Sequence, residues 1–208
     1  MAKLSSMAEK APPGLAGLIE RAADDRNAGA DGLPPVDKWN PEHCGEIDME
    51  IRADGSWYYM GTPIGRARLV RLFSTVLRKD EDGVTYLVTP VERIAIRVVD
   101  AHFVAVEMTR SEEAGQPVLT FRTNVGDVVR ADAEHPLRFV VTGKDDQLKP
   151  YIRVRGRLDA LISRAVTHEL MGLGEEVEID GRMMFAIRSC GEVFPVMDMA
   201  AVQDTADR

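Results

Sequence analysis

One uninterrupted stretch, residues 54–77, constrains the fold more than any other part of the chain. It reads Asp-Gly-Ser-Trp-Tyr-Tyr-Met-Gly-Thr-Pro-Ile-Gly-Arg-Ala-Arg-Leu-Val-Arg-Leu-Phe-Ser-Thr-Val-Leu. Asp54-Gly55 is a hairpin signal, because glycine tolerates the positive φ that tight turns need. An aromatic strand follows at 57–60, and Thr62-Pro63 suits the cap and first turn of a helix. Leu69, Val70, Leu72, Phe73, Val76 and Leu77 then fall at 3.6-residue spacing, with arginines and hydroxyl residues between them. This predicts a helix over about 66–78 whose apolar stripe is covered by a sheet. Burying such side chains is worth roughly 1.5–3 kcal/mol each before entropy is charged.

The flanking segments supply the sheet. Ile47, Met49 and Ile51 alternate with Asp48, Glu50 and Arg52, the period of a half-buried strand. Further strands are expected at 85–89, closed by Pro90, and at 94–99, 103–108, 118–123, 137–141 and 151–155. Residues 111–117 read as a loop, and two hairpins should end the chain. The opening order recurs near the middle: Tyr151–Arg155 leads through Gly156-Arg157 to Leu158, Leu161, Ile162, Ala165, Val166 and Leu170, the apolar positions of a second helix over 158–171. Gly65-Arg66 and Gly156-Arg157 would then be corresponding junctions. The expected class is α+β, with two subdomains related by a repeated strand-strand-helix-strand unit. Residues 1–34 read as an N-terminal arm with a short helix over 14–23, residues 35–91 as the first subdomain, and 92–208 as a second, larger one.

A formal net charge of −8 over 208 residues opposes binding to a nucleic acid polymer or an anionic membrane surface. No run approaches the 18 or so apolar residues of a membrane span. The opening residues lack the apolar core of a secretory signal, and two cysteines make neither a zinc quartet nor a disulfide framework. A cytoplasmic protein is expected.

Enzyme signatures are absent: there is no phosphate-binding Gly-x4-Gly-Lys-Ser/Thr, no Gly-x-Gly-x-x-Gly and no Gly-x-Ser-x-Gly. His168-Glu169 has no second histidine at the spacing a zinc helix needs, and His43, His102 and His135 are scattered, so neither a metal nor another cofactor is expected. Cys44 beside His43 has no sequence-local carboxylate to orient a thiol–imidazole pair, which favours an inert cysteine. The suggestive constellation is cationic and aromatic. Tyr151, Arg153 and Arg155 alternate with Ile152 and Val154, Trp57 and Tyr59 alternate with Tyr58 and Met60, and each strand runs towards Arg66 or Arg157. Arginine forks suit phosphate or carboxylate, and aromatic faces suit a base. The same residues also fit solvent faces whose arginines pair with the chain's many acids. Asn124 either reads a polar ligand edge or caps the turn at 125–127. Glu92 and Arg93 would form an ion pair at a domain hinge.

Several phrases together resemble one bacterial family: Pro35-Val-Asp-Lys-Trp39-Asn-Pro, Cys44-Gly-Glu-Ile-Asp48-Met, Asp54-Gly-Ser-Trp57-Tyr, Gly61-Thr-Pro-Ile64 with Arg66, and Leu69–Leu77. Leu87-Val-Thr-Pro-Val-Glu92, Phe121-Arg-Thr-Asn124, Pro150-Tyr-Ile-Arg-Val-Arg155 and Ser189-Cys-Gly continue the series. Over roughly residues 35–197 the chain resembles the family known as domain of unknown function 1285. The resemblance implies duplication, a second domain like pleckstrin-homology folds, a nucleotide-like ligand between the domains, and work in signal transduction. It carries over no catalytic residue. The expectation is a ligand-binding or sensory module rather than an enzyme. A nucleotide-like or phosphorylated small molecule would be held by Trp57, Arg66, Asn124, Tyr151, Arg153 and Arg155, and a signalling protein would be the partner. The alternative is a protein-interaction adaptor without a small ligand.

Overall fold

A computed structural model describes residues 16–17, 32–142 and 147–200. The chain divides into two compact units, Met1–Ala101 with Gly156–Leu158, and His102–Arg155 with Asp159–Arg208. The short helix expected over 14–23 falls almost wholly outside the described residues.

In the first unit a single 3-10 turn (Val36–Lys38) precedes β1 (His43–Ile51), β2 (Trp57–Tyr59), β3 (Thr62–Pro63), α1 (Ala67–Thr75), β4 (Leu77–Lys79), β5 (Thr85–Val88) and β6 (Arg93–Val98). The six strands lie in the order β3-β2-β1-β6-β5-β4. β1 and β6 pair in parallel at the centre, and the other printed ladders of this sheet are antiparallel. The β1–β2 hairpin turns at Asp54-Gly55, where Gly55 has φ +78° and the Asp54 carboxylate accepts from the Ser56 amide at 2.9 Å. Thr62-Pro63 does not start the helix. It forms an edge strand, a place where proline's missing N–H costs no ladder bond. The helix begins at Ala67, after Arg66. Leu69 and Phe73 from α1 are buried, as are Val76 and Leu77 just beyond it.

In the second unit come β7 (Phe103–Glu113), β8 (Gln116–Thr123), β9 (Val128–Arg130), β10 (Leu137–Thr142), β11 (Gln147–Arg155), β12 (Leu158–Ile162), α2 (Arg164–Met171), β13 (Glu175–Ile179), β14 (Arg182–Ser189) and β15 (Glu192–Asp198). Strands β10-β11-β12-β7-β8-β9 make one sheet and β13-β14-β15 a smaller one. The small sheet is tied to β8, since the buried Ser189 hydroxyl accepts from the Leu119 amide at 2.9 Å and the Cys190 amide donates to Pro117 at 2.8 Å.

The two six-stranded sheets have the same strand order once β7 is matched to β1 and the rest follow in sequence. In each, the first and sixth strands pair in parallel at the centre. The duplication is therefore real, but its unit differs from the expected one. It is two three-stranded arms around a parallel pair, and the helix is not part of it. α1 joins the third strand to the fourth in the first unit, whereas in the second those strands are joined by residues 131–136 and α2 follows the sixth.

Three expectations are corrected here. Residues 158–162 are strand, not helix: Leu158, Ala160 and Ile162 are buried in alternation while β12 pairs with β7, and the helix starts only after Ser163. Gly156-Arg157 is thus a hairpin tip and no counterpart of Gly65-Arg66. The divide falls at Ala101/His102 and not at 91/92, because β6 hydrogen-bonds to both β1 and β5. Residues 111–117 are largely strand as well, with the β7–β8 turn confined to Ala114-Gly115.

Candidate functional site

The six residues expected to hold a ligand are dispersed. Trp57 is 2% exposed, its ring stacked on Phe73 with centroids 6.1 Å apart, so it offers no open face. Arg66 is exposed at the N-cap of α1, where its carbonyl accepts from the Leu69 and Val70 amides. Asn124 neither caps the next turn nor stands ready as a ligand contact. Its amide donates to Val104 at 2.8 Å and its Oδ1 accepts from the Val104 amide at 3.1 Å, which fastens the end of β8 to β7. Thr123 closes that turn instead, its hydroxyl accepting from the Asp127 amide at 3.0 Å.

Tyr151, Arg153 and Arg155 do gather, together with residues that no local pattern marks. Arg138 on β10 stands opposite Tyr151 on β11, its guanidinium 4.4 Å from the ring centroid. Asp159 takes Arg153 Nε at 2.5 Å and Arg138 Nη2 at 3.3 Å. The Asp159 amide donates to Nδ1 of the buried His102 at 3.3 Å. Arg155 pairs with Asp127 at 2.8 Å and lies over the Phe103 ring. Each arginine is thus held in place by a carboxylate, an aromatic face or both. Arg138, whose side chain is 53% exposed, keeps a broad donor surface towards solvent.

The first unit contains a closely related cluster. Arg78 on β4 stands opposite Tyr86 on β5, and Leu77 opposite Leu87; Arg138 opposite Tyr151 and Leu137 opposite Ile152 repeat that register. Here Asp80 takes both Arg78, through Nε at 2.6 Å and Nη2 at 3.1 Å, and Arg93 at 2.8 Å. Burial opposes ionisation of Asp80, but hydrogen bonds from Arg78 and Arg93 outweigh it and hold the carboxyl below its ordinary range. Tyr86 donates to Asp82 at 2.7 Å, which pushes its hydroxyl pKa up. Arg93 therefore pairs with Asp80 and not with Glu92, which is itself buried in the β5–β6 turn and at no domain hinge. Arg78 Nη1 donates to the carbonyls of Val36 at 2.8 Å and Trp39 at 2.7 Å, and Trp39 packs against Tyr86, Val88 and Ala95.

Among the described residues no three His, Cys, Asp or Glu side chains are grouped to hold a metal ion. Cys44 and Cys190 are free thiols. No described helix is long and apolar enough to cross a membrane.

Two repeated six-stranded sheets with two helices, each sheet carrying an arginine–tyrosine pair beside a shared aspartate, define a duplicated, mostly β protein. The chain belongs to the DUF1285 family: residues 34–101 match the domain of unknown function (DUF1285), N-terminal domain, and residues 102–196 the protein of unknown function (DUF1285), C-terminal domain. It is similar to a crystal structure of a DUF1285 family protein from Silicibacter pomeroyi DSS-3, with 42% identity and a TM-score of 0.78, covering 90% of this chain and 98% of that one. A second DUF1285 structure, from Shewanella baltica OS155, matches at 24% identity and a TM-score of 0.47, covering 60% of this chain and 90% of the other. No curated protein matches the chain.

Proposed function

We propose that this protein is a binding module, not a catalyst, and that its second unit receives a ligand rich in acceptor oxygens at the Arg138–Tyr151–Arg153–Asp159 cluster. A phosphorylated or nucleotide-like small molecule is the ligand class, read out in signal transduction within the cytoplasm. The observation that supports this is Arg138: half-exposed, laid over Tyr151 and tethered to Asp159, it is preorganised without being covered. An arginine fork held by a carboxylate on one side keeps its remaining donors for an incoming oxyanion, and a charge-assisted bond there contributes about 1.5–3 kcal/mol. The pleckstrin-homology-like character of the second unit, implied by the family resemblance, is part of the same proposal.

A thermal-shift screen of nucleotides and phosphorylated metabolites tests it. A ligand at 100 times its dissociation constant adds about 2.7 kcal/mol of stability. The shift should shrink in Arg138→Ala and Arg153→Ala. A shift that both variants retain in full would remove the site from this cluster. A second reading, a protein-interaction adaptor, is favoured by one observation: in the first unit the equivalent arginine, Arg78, holds peptide carbonyls and not an anion.

A further inference from the structure

The two arginine–tyrosine pairs share a register but differ in what covers them. Arg78 opposite Tyr86 is 14% exposed, because the turn at Val36–Lys38 and the following Trp39 lie against it. That turn offers two carbonyls within one tight bend, Val36 O also accepting from the Trp39 amide at 3.2 Å. The indole then rests on Tyr86, Val88 and Ala95. Arg138 opposite Tyr151 occupies the same place in the second sheet with its side chain 53% exposed. The chain itself therefore displays the chemistry that fills one copy of the pair, while the other copy stands open.

We propose that Arg138–Tyr151 is the receptive copy of a peptide-binding site whose sister copy is filled in cis by Val36–Trp39. The occupant is a tight turn of a partner protein that presents two backbone carbonyls followed by an aromatic side chain. The inference rests on the reading that the Arg138 cluster is a binding surface, and it replaces the phosphorylated small molecule with a peptide. The floor of the receptive copy differs in one respect: two residues after Tyr151 stands Arg153, where Val88 stands two residues after Tyr86. An incoming ring would meet a guanidinium plane there. Arginine stacks on aromatic faces, so this change retains an aromatic preference and adds a cation–π contact.

The test is fluorescence anisotropy of a labelled peptide spanning residues 33–41 of this chain, titrated with the full-length protein. Saturable binding is expected, weakened about tenfold or more by Arg138→Ala, and also by Arg138→Lys, since an ammonium does not reproduce the fork. Replacing the tryptophan of the peptide by alanine should weaken binding as well. Arg130→Ala, which removes an exposed arginine paired with Glu113, should leave it unchanged. Melting curves establish that each variant is folded, and Arg138→Lys keeps the test decisive if Arg138→Ala is not. Absence of saturable binding, or equal binding by both Arg138 variants, overturns the proposal. If the peptide fails while a phosphorylated compound gives an Arg138-dependent thermal shift, the cluster stands as a small-molecule site and the peptide inference alone falls. If both fail, the binding reading of the cluster falls with it.

Discussion

Asp80 shows how a single side chain organises a region that no sequence pattern marked. Its carboxylate holds Arg78 and Arg93 from two different strands, and Arg78 in turn holds the carbonyls of Val36 and Trp39. Because the folded-state pKa of Asp80 is depressed, its contribution to stability is fully present above the ordinary aspartate pKa. It is lost as the pH falls through the depressed folded value. Asp80→Asn should cost about 1.5–3 kcal/mol at neutral pH, the range for hydrogen bonds to charged groups. The gap between variant and parent should narrow as the pH drops below about 4, where aspartate protonates in the unfolded chain. Urea melts at pH 7 and pH 3 measure this. A gap of equal size at both values would assign the loss to packing and not to charge. Surface pairs such as Arg122–Glu107, where both partners are about half exposed, should contribute about 0–1 kcal/mol.

Among the elements, α1 places Phe73, with no exposure, under the stacked Trp57, while its neighbour Leu72 is only half-buried. Phe73→Ala should therefore cost about 3–5 kcal/mol by chemical denaturation, and Leu72→Ala clearly less. Equal losses would mean that the helix buries a different stripe. Gly174 gives a second check: a β-carbon there would lie 1.9 Å from the Phe185 ring, so Gly174→Ala should lower the melting temperature by displacing that ring. The features legible in the sequence were those set by neighbours in the chain. α1, the Asp54-Gly55 hairpin and the terminal hairpins each follow from local periodicity or turn chemistry. The misread segment, 158–171, satisfied two periods at once. Leu158, Leu161 and Ile162 fit a helical stripe, but Leu158, Ala160 and Ile162 also fit a strand, and the parallel partner β7 that decided between them lies some 55 residues earlier in the chain. Ser163, whose side chain caps α2 through the Val166 amide, was a start signal available in the sequence. The candidate site was half legible for the same reason. Tyr151, Arg153 and Arg155 share a strand, whereas Arg138 and Asp159 join them only through pairings 13 and 6 residues distant, Tyr151 with Arg138 and Arg153 with Asp159.

At the scale of the whole chain, the duplication gives the segment before β1 a definite role. Matching the repeats by strand order aligns Arg78–Tyr86 with Arg138–Tyr151, and what distinguishes the copies is the turn at Val36–Lys38 with Trp39. Residues 1–34, rich in Gly, Ala and Pro and weakly patterned, should be removable with little loss of stability. A chain beginning at Pro35 should melt within a degree or so of the full-length protein. A chain beginning at Pro41 removes both carbonyl acceptors of Arg78 and strips Trp39 from Tyr86, Val88 and Ala95. Leaving a partly buried guanidinium without those acceptors costs about 1–3 kcal/mol. For a unit of this size each kcal/mol lowers the melting temperature by about 4–8 °C, so the drop should be plain in a thermal scan. The mechanism makes a sharper demand than the drop itself. Arg78 and the 36–39 segment act through the same contacts, so deleting residues 1–40 in an Arg78→Ala background should cost clearly less than deleting them from the parent. Strictly additive losses would show that the segment stabilises the unit by a route that bypasses Arg78. The contrast between the Arg78 and Arg138 copies would then no longer indicate what the second one receives.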